Sequence, residues 1–144
     1  MHISRLGPGD QIRARAMFAT MAAVFDESIV SLSEEYLCAL LARPDFWAVA
    51  AIEDEEVIGG LTAHALPMTR SESTELFIYD VAVGIHRQRR GVGRALLQYL
   101  LAGAAASGID VAFVPADNED THAMDFYRAL GGVASPVTLF EFSP

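Results

Sequence analysis

The stretch from Glu75 to Ala106 leaves this chain few ways to fold. ELFIYDVAV (75–83) is apolar and β-rich, and HRQRRGVGR (86–94) is a turn crowded with four arginines. After the turn, Val92, Leu96, Tyr99, Leu100 and Gly103 fall on one face of a helix expected from about Gly91 to Ala106. The segment reads as a strand, a turn and a helix N-terminus. Such a junction gathers unpaired backbone N–H groups and the positive end of a helix dipole, which suits a phosphate. Glycine lets the backbone approach a pyrophosphate closely, and arginine adds charge-assisted contacts.

Three phosphate-binding patterns compete for this junction. A Walker loop needs Gly-Lys-Ser/Thr at the helix start; Gly93-Arg94-Ala95 stands there, and the chain has no lysine. A dinucleotide fingerprint needs a third glycine after Gly91-Val92-Gly93, and Leu96 takes that place. The spacing Gln88-x-x-Gly91-x-Gly93 after a strand ending in VAV fits a third pattern.

Asp10 is the expected N-cap of a helix running to about Phe25, and Ser33 that of a second helix ended by Pro44. FWAVAAI (46–52) and VIGGLTAHAL (57–66) read as a hairpin turning at the charged EDEE. Gly59-Gly60 suggests a bulge or a close backbone approach. IDVAFVPA (109–116) reads as a buried strand and DNED as an acidic loop. THAMDFYRAL is a helix stopped by Gly131-Gly132, and VTLFEF is a last strand. The order predicts an α+β (α/β layered) fold around a mixed sheet.

A length of 144 residues suits a single domain spanning 1–144, large enough to bury a core. The longest apolar run, LLQYLLAGAAASG, is too short to span a membrane, and MHISRLGPGD lacks the apolar core of a signal peptide. The expected location is the cytoplasm. Cys38 sits among apolar neighbours at helical spacing and reads as a small buried hydrophobe. Ten arginines against 19 acidic residues give a formal net charge of −9. That balance opposes general nucleic-acid binding and would suit a small cationic partner. The four histidines show no metal spacing, so no metal is expected; the default for His64 is packing or hydrogen bonding.

Gln88-Arg89-Arg90-Gly91-Val92-Gly93, with YDVAV before it and AMDFYRALGG after it, resembles the acyl-CoA pyrophosphate loop of the GCN5-related N-acetyltransferases (GNAT). The resemblance covers nearly the whole chain. It implies a mixed central sheet splayed between strands four and five, flanked by helices, with acetyl-CoA as co-substrate. AHALP, ELFIYDVAV and VPADNEDTHAMDFYRALG are most similar to the gentamicin-type aminoglycoside 3-N-acetyltransferases. Asn118, Glu119, Thr121 and His122 depart from that subgroup's pattern. The implied reaction is direct attack of an aminoglycoside amine on the thioester, through a tetrahedral intermediate. Another small amine, such as a polyamine or an amino acid, is the alternative acceptor, and a non-catalytic acyl-CoA-binding module is the alternative class.

The resemblance assigns pyrophosphate to the amides of Gln88, Arg89, Arg90, Gly91, Val92 and Gly93, backed by Arg87 and Arg94. It assigns pantetheine to Val81, Ala82, Val83 and Asn118, with an oxyanion donor at a backbone N–H near Val81 or Ala82. Asp80 breaks the strand preference between Tyr79 and Val81, which makes it the candidate base or ammonium anchor. Tyr127 takes the position of a tyrosine near the thioester sulfur; ordinary packing is its alternative. Asp26, Glu27, Tyr79, Asp80, Asp117, Glu119, Asp120 and Glu141 are the candidates for the cationic acceptor, and Glu34-Glu35 belongs with them by charge alone. Solvated surface charge is the bland alternative for each carboxylate, above all in EDEE. Oligomeric state is not written in these residues, although dimers are common in the family.

Overall fold

The computed structural model describes residues 1–144. One five-stranded sheet follows chain order: β1 (His2–Leu6), β2 (Phe46–Glu53), β3 (Glu56–Pro67), β4 (Thr74–Val83) and β5 (Val111–Phe113). The first four strands are antiparallel, and β5 runs parallel to β4. Parallel neighbours need a crossover, which α3 (Val92–Ala106) supplies. Helices α1 (Gln11–Val24) and α2 (Glu34–Ala42) precede β2, and α4 (Thr121–Ala129) follows β5.

Strand β2 is apolar throughout because both of its faces are covered. Trp47, Val49 and Ala51 join the core under α3 with Leu96, Leu97 and Leu100. Phe46, Ala48, Ala50 and Ile52 join Met17, Met21, Leu37 and Leu41 of α1 and α2 on the other side. A one-residue slip would exchange the two sets, so the two cores together pin the register. The EDEE turn closes through Asp54 and Glu55 at φ +50 and +64, the double left-handed geometry of a tight hairpin. A bulge falls at Ile58, beside the two glycines. A Cβ on Gly60 would stand 2.4 Å from Met17, so that glycine lets α1 lie directly on the sheet.

Several expectations are corrected. HISRL forms an edge strand that its composition hides: only Leu6 in it is fully buried. Arg5 holds this strand, stacking 3.9 Å over Trp47 and donating to the Pro44 and Phe46 carbonyls. Asp10 stands at the N-cap of α1 as expected, but its side chain accepts from the Gly7 N–H at 2.8 Å instead of from the helix. Ser33 does cap α2, accepting from the Tyr36 N–H at 3.1 Å. Cys38 is exposed, not buried, because α2 turns Leu37 and Leu41 to the core and leaves position 38 outside their stripe. Tyr99 is partly exposed, at 38%, and Leu97 and Ala104 complete the buried face of α3.

The strand expected over 109–116 shrinks to three residues, none fully buried, and Pro115 removes a backbone donor just beyond it. Residues 137–142, expected as a last strand, have no regular structure, and every residue from Gly131 to Pro144 is exposed. Only Glu75, Leu76 and Phe77 of β4 pair with β5. Beyond Phe77 the two strands part, which is the splay the family resemblance implied.

Candidate active site

The splay is one wall of a cleft of about 670 Å³. Val81, Ala82 and Val83 line it from β4, the 87–94 turn closes one end, α4 forms the far wall, and Val24 and Phe25 reach in from α1. The Gly84 N–H bonds the Ile58 carbonyl of β3. Alternation along an antiparallel ladder therefore turns the N–H groups of Val81 and Val83 away from β3, into the splay.

The turn is held from several sides. The Gln88 side chain donates to the Val83 carbonyl at 3.0 Å. Arg89 and Gly91 are left-handed, at φ +60 and +80. Gly91 stands at the N-cap of α3, and no side chain fills that cap. No atom lies within 4 Å of a Cβ built on Gly91, so its left-handed backbone, not crowding, requires glycine there. Gly93 is the opposite case: a Cβ there would meet the Phe126 ring at 3.2 Å, so its absence lets α4 close on α3.

The four arginines divide. Arg87 pairs with Glu53 and lies 3.4 Å from Glu56, and Arg90 lies 3.7 Å from Glu53. Glu55 pairs with Arg13 at 3.3 Å. Glu53 is therefore engaged, whereas Glu55 and Glu56 keep most of their surface in solvent, as the turn suggests. Arg89 and Arg94 border the cleft with no carboxylate partner. The open left-handed cradle at Gly91 and two uncommitted guanidiniums fit an anionic nucleotide phosphate. Arg90 does not line the cleft, and neither does Asn118.

Asp120 and Asp125 line the cleft; Asp26, Glu27, Tyr79 and Asp80, expected to meet the acceptor, lie outside its lining. Asp80 follows a bulge: Thr62 pairs with Asp80 and Ala63 with Ile78, leaving Tyr79 as the extra residue. The bulge breaks alternation, so Tyr79, packed on His64, and Asp80, opposite Thr62, share the face that α1 covers. Burial pushes the Asp80 carboxyl above its ordinary range, and the charge of Glu27 adds to the rise. Burial likewise raises the Tyr127 phenol to about 12, with contributions from Asp120 and Asp80. Tyr127 lines the cleft, packs edge-on to Phe126 at 5.2 Å and rests against the α3-side core.

Asp26, Glu27, Asp80 and Asp120 form no ion pair within the chain. Asp120 lines the cleft while its carboxylate caps α4, accepting from the Ala123 N–H at 3.0 Å. Asp117 is a turn residue, accepting from the Glu119 N–H at 2.9 Å, and both are exposed outside the cleft lining. Glu141 lies on the exposed C-terminal segment, also outside that lining, and Glu34 pairs with Arg15 at 2.8 Å.

A profile of the Acetyltransferase (GNAT) family matches residues 13–131. The chain belongs to this family. It is an acetyl-CoA-dependent N-acetyltransferase with the GNAT fold. Among solved structures it is similar to the aminoglycoside acetyltransferase meta-AAC0020 from an uncultured soil metagenomic sample, in complex with trehalose. The two share 30% identity and a TM-score of 0.95, over 99% of this chain and 95% of that one. The same enzyme in complex with sisomicin superposes with a TM-score of 0.94. The aminoglycoside acetyltransferase HMB0005, also from an uncultured soil metagenomic sample, is 33% identical with a TM-score of 0.94, over 99% of this chain and 97% of that one. No curated protein matches the sequence significantly. No helix of this acetyltransferase is long and apolar enough to cross a membrane.

Sequence reasoning missed Val24, Phe25, His122, Asp125, Phe126 and Leu130 as walls of the acetyltransferase cleft. Four are apolar, so residue chemistry does not mark them, and His122 and Asp125 sit on an amphipathic helix where polar residues are ordinary. Gly93 carries the one available signal, since a small residue on a helix marks a neighbour's close approach.

Proposed function

We propose that this acetyltransferase moves the acetyl group of acetyl-CoA to an amine of an aminoglycoside, the 3-amino group of the central ring by resemblance. The observation that carries the reading is a cleft that meets groups of opposite charge. The glycine cradle and free Arg89 and Arg94 line it with Asp120, and the unpaired Asp80 and Glu27 lie beside it, close enough for the charge of Asp80 to act on Tyr127 and that of Glu27 on Asp80. The likeness to aminoglycoside acetyltransferases over 99% of the chain supports the choice of acceptor.

Acetyl-CoA, when bound, supplies an activated acetyl thioester. The amides of Gln88 to Gly93, with Arg89 and Arg94, hold its pyrophosphate. Val81 to Val83 border its pantetheine, and the N–H groups facing the splay stand ready for a developing oxyanion. Asp26, Glu27, Tyr79 and Asp80 receive the acceptor. An ammonium must lose a proton before it can attack. Asp80, raised by burial, is a better acceptor for that proton than a free carboxylate at about 3.9. An ordinary carboxylate is a far weaker base than an amine, so Asp80 anchors and orients the ammonium and water carries the proton away.

Tyr127 keeps its proton. A phenol at about 12 does not surrender it to a thiolate whose acid lies near ~8.5. A donated hydrogen bond stabilises the leaving sulfur instead. Release of CoA thiol across a panel of gentamicin-like and kanamycin-like compounds, polyamines and amino acids tests the reading. Turnover confined to aminoglycosides supports it. Turnover of polyamines or amino acids alone overturns the acceptor, and CoA binding without turnover of any amine overturns catalysis.

A further inference from the structure

The arginine-rich turn is fastened to the sheet from outside the cleft. Glu53, the last residue of β2, does not line the cleft. Its carboxylate Oε2 nonetheless meets two guanidiniums of the turn. Arg87 Nη1 donates to it, and Arg90 Nη1 lies 3.7 Å away. Glu56, opposite Glu53 in the hairpin, takes a longer contact from Arg87 at 3.4 Å. The Glu53 side chain is 22% exposed, whereas the carboxylates paired with Arg13, Arg15 and Arg43 are 46% to 88% exposed. Fully exposed pairs are screened and contribute little; a sheltered one holds its geometry.

What this pair of contacts brackets is the strained part of the turn. Arg87 and Arg90 flank Gln88 and Arg89. Gln88 is tied to the Val83 carbonyl. Arg89 stands at φ +60, a conformation that residues with a side chain seldom adopt. It persists only where the surroundings impose it, and Arg89 has no ion pair of its own. Glu53 imposes it from both sides. The φ angle is positive at Arg89 and Gly91 but not at Arg90 between them. Backbone of alternating hand turns successive N–H groups inward and makes a concavity for an anion. Charge works the other way, because a carboxylate beside such a concavity repels the anion.

We propose that Glu53 is a positioning residue for acetyl-CoA, acting through Arg87 and Arg90 to hold the left-handed turn in the form that receives the pyrophosphate. The proposal rests on the reading of that turn as the pyrophosphate seat. It also divides the labour of the four arginines: two grip Glu53, and two stay free for the anion.

Calorimetric titration with CoA, together with steady-state kinetics on acetyl-CoA, tests it. Glu53→Ala should weaken CoA binding about fivefold through lost preorganisation and raise the KM for acetyl-CoA by a similar factor. The kcat at saturating acetyl-CoA and the KM of the acceptor should stay within about twofold. Glu53→Gln keeps the shape and one neutral acceptor, so it should fall between, and it carries the test if the alanine variant fails to fold. Arg90→Ala should weaken CoA binding in the same direction. Combined with Glu53→Ala it should weaken it no further, because the shared contact is already gone. Binding that is unchanged or tighter in the Glu53 variants overturns the proposal, whether or not Tm falls. A further loss in the double variant overturns it too, by putting Arg90 on the cofactor directly. Gly91→Val keeps the two readings apart. If it loses CoA while the Glu53 variants do not, the clamp alone fails. If it also leaves CoA binding intact, the turn is not the pyrophosphate seat and both readings fail.

Discussion

The two ends of the cleft are built in different ways. The proposed phosphate end is made of backbone: two left-handed residues, a helix N-terminus and amides turned into a splay. Its arginines are secondary, since Arg87 and Arg90 are already occupied by Glu53. The proposed acceptor end is made of side chains: Asp120, which lines the cleft from a helix cap, with Asp80 on a bulge and Glu27 after α1 lying beside it. A backbone site is local and tolerates changes of side chain provided the glycine stays. A side-chain site depends on three distant segments and fails when one carboxylate is lost.

This contrast predicts the largest effect at Asp80. Asp80→Asn should lower kcat/KM for the acceptor on the order of 10²-fold or more, within the range of a lost acid–base or anchoring group. The folded state raises the pKa of Asp80, so the carboxylate's charge costs stability as pH rises through that pKa. The same variant should therefore keep or raise Tm at pH 7. A lower Tm with unchanged kcat/KM would give Asp80 a structural role. Next in size, Gly91→Val forces a β-branched residue to φ +80 and should weaken CoA binding more than tenfold, whereas Arg94→Ala should weaken it only a few-fold. The reverse order, read by titration calorimetry, would make the phosphate end a side-chain site after all.

A smaller change is expected at Tyr127. Tyr127→Phe should lower kcat about tenfold with little change in the Kd of CoA, consistent with one lost hydrogen bond to the leaving sulfur. An unaltered kcat would return Tyr127 to packing. The smallest effect concerns pH. Glu27 helps to raise Asp80, so the acidic limb of kcat/KM should lie above the free-carboxylate range, and Glu27→Gln should move it to lower pH. A limb that stays in place would detach Glu27 from Asp80.

The same contrast explains what could be read in the residues before any coordinates. The turn was legible because a phosphate cradle is contiguous: Gln88, Gly91 and Gly93 stand within six residues, and their spacing is their function. Asp80 was legible as a broken strand rule. The division among the arginines was not, because Glu53 meets Arg87 and Arg90 only when the β2–β3 hairpin lies beside the turn. Asp117 and Glu119 looked like acceptor ligands by charge, yet a local hydrogen bond makes them a turn. β1 was hidden because an edge strand buries little, and the 137–142 strand was overread because β-rich composition does not by itself supply a neighbouring strand, and the segment packs on nothing in the chain. Cys38 shows the limit of apolar neighbours as a guide, since one helical step separates a buried position from an exposed one.

The most direct test is a crossed titration of CoA and sisomicin into the unaltered protein, Gly91→Val and Asp80→Asn. Two separate ends predict that Gly91→Val loses CoA and keeps sisomicin, while Asp80→Asn loses sisomicin and keeps CoA. If either variant, still folded, loses both ligands, or if Asp80→Asn binds sisomicin as tightly as the unaltered protein, the account of a cleft with two opposite ends is wrong.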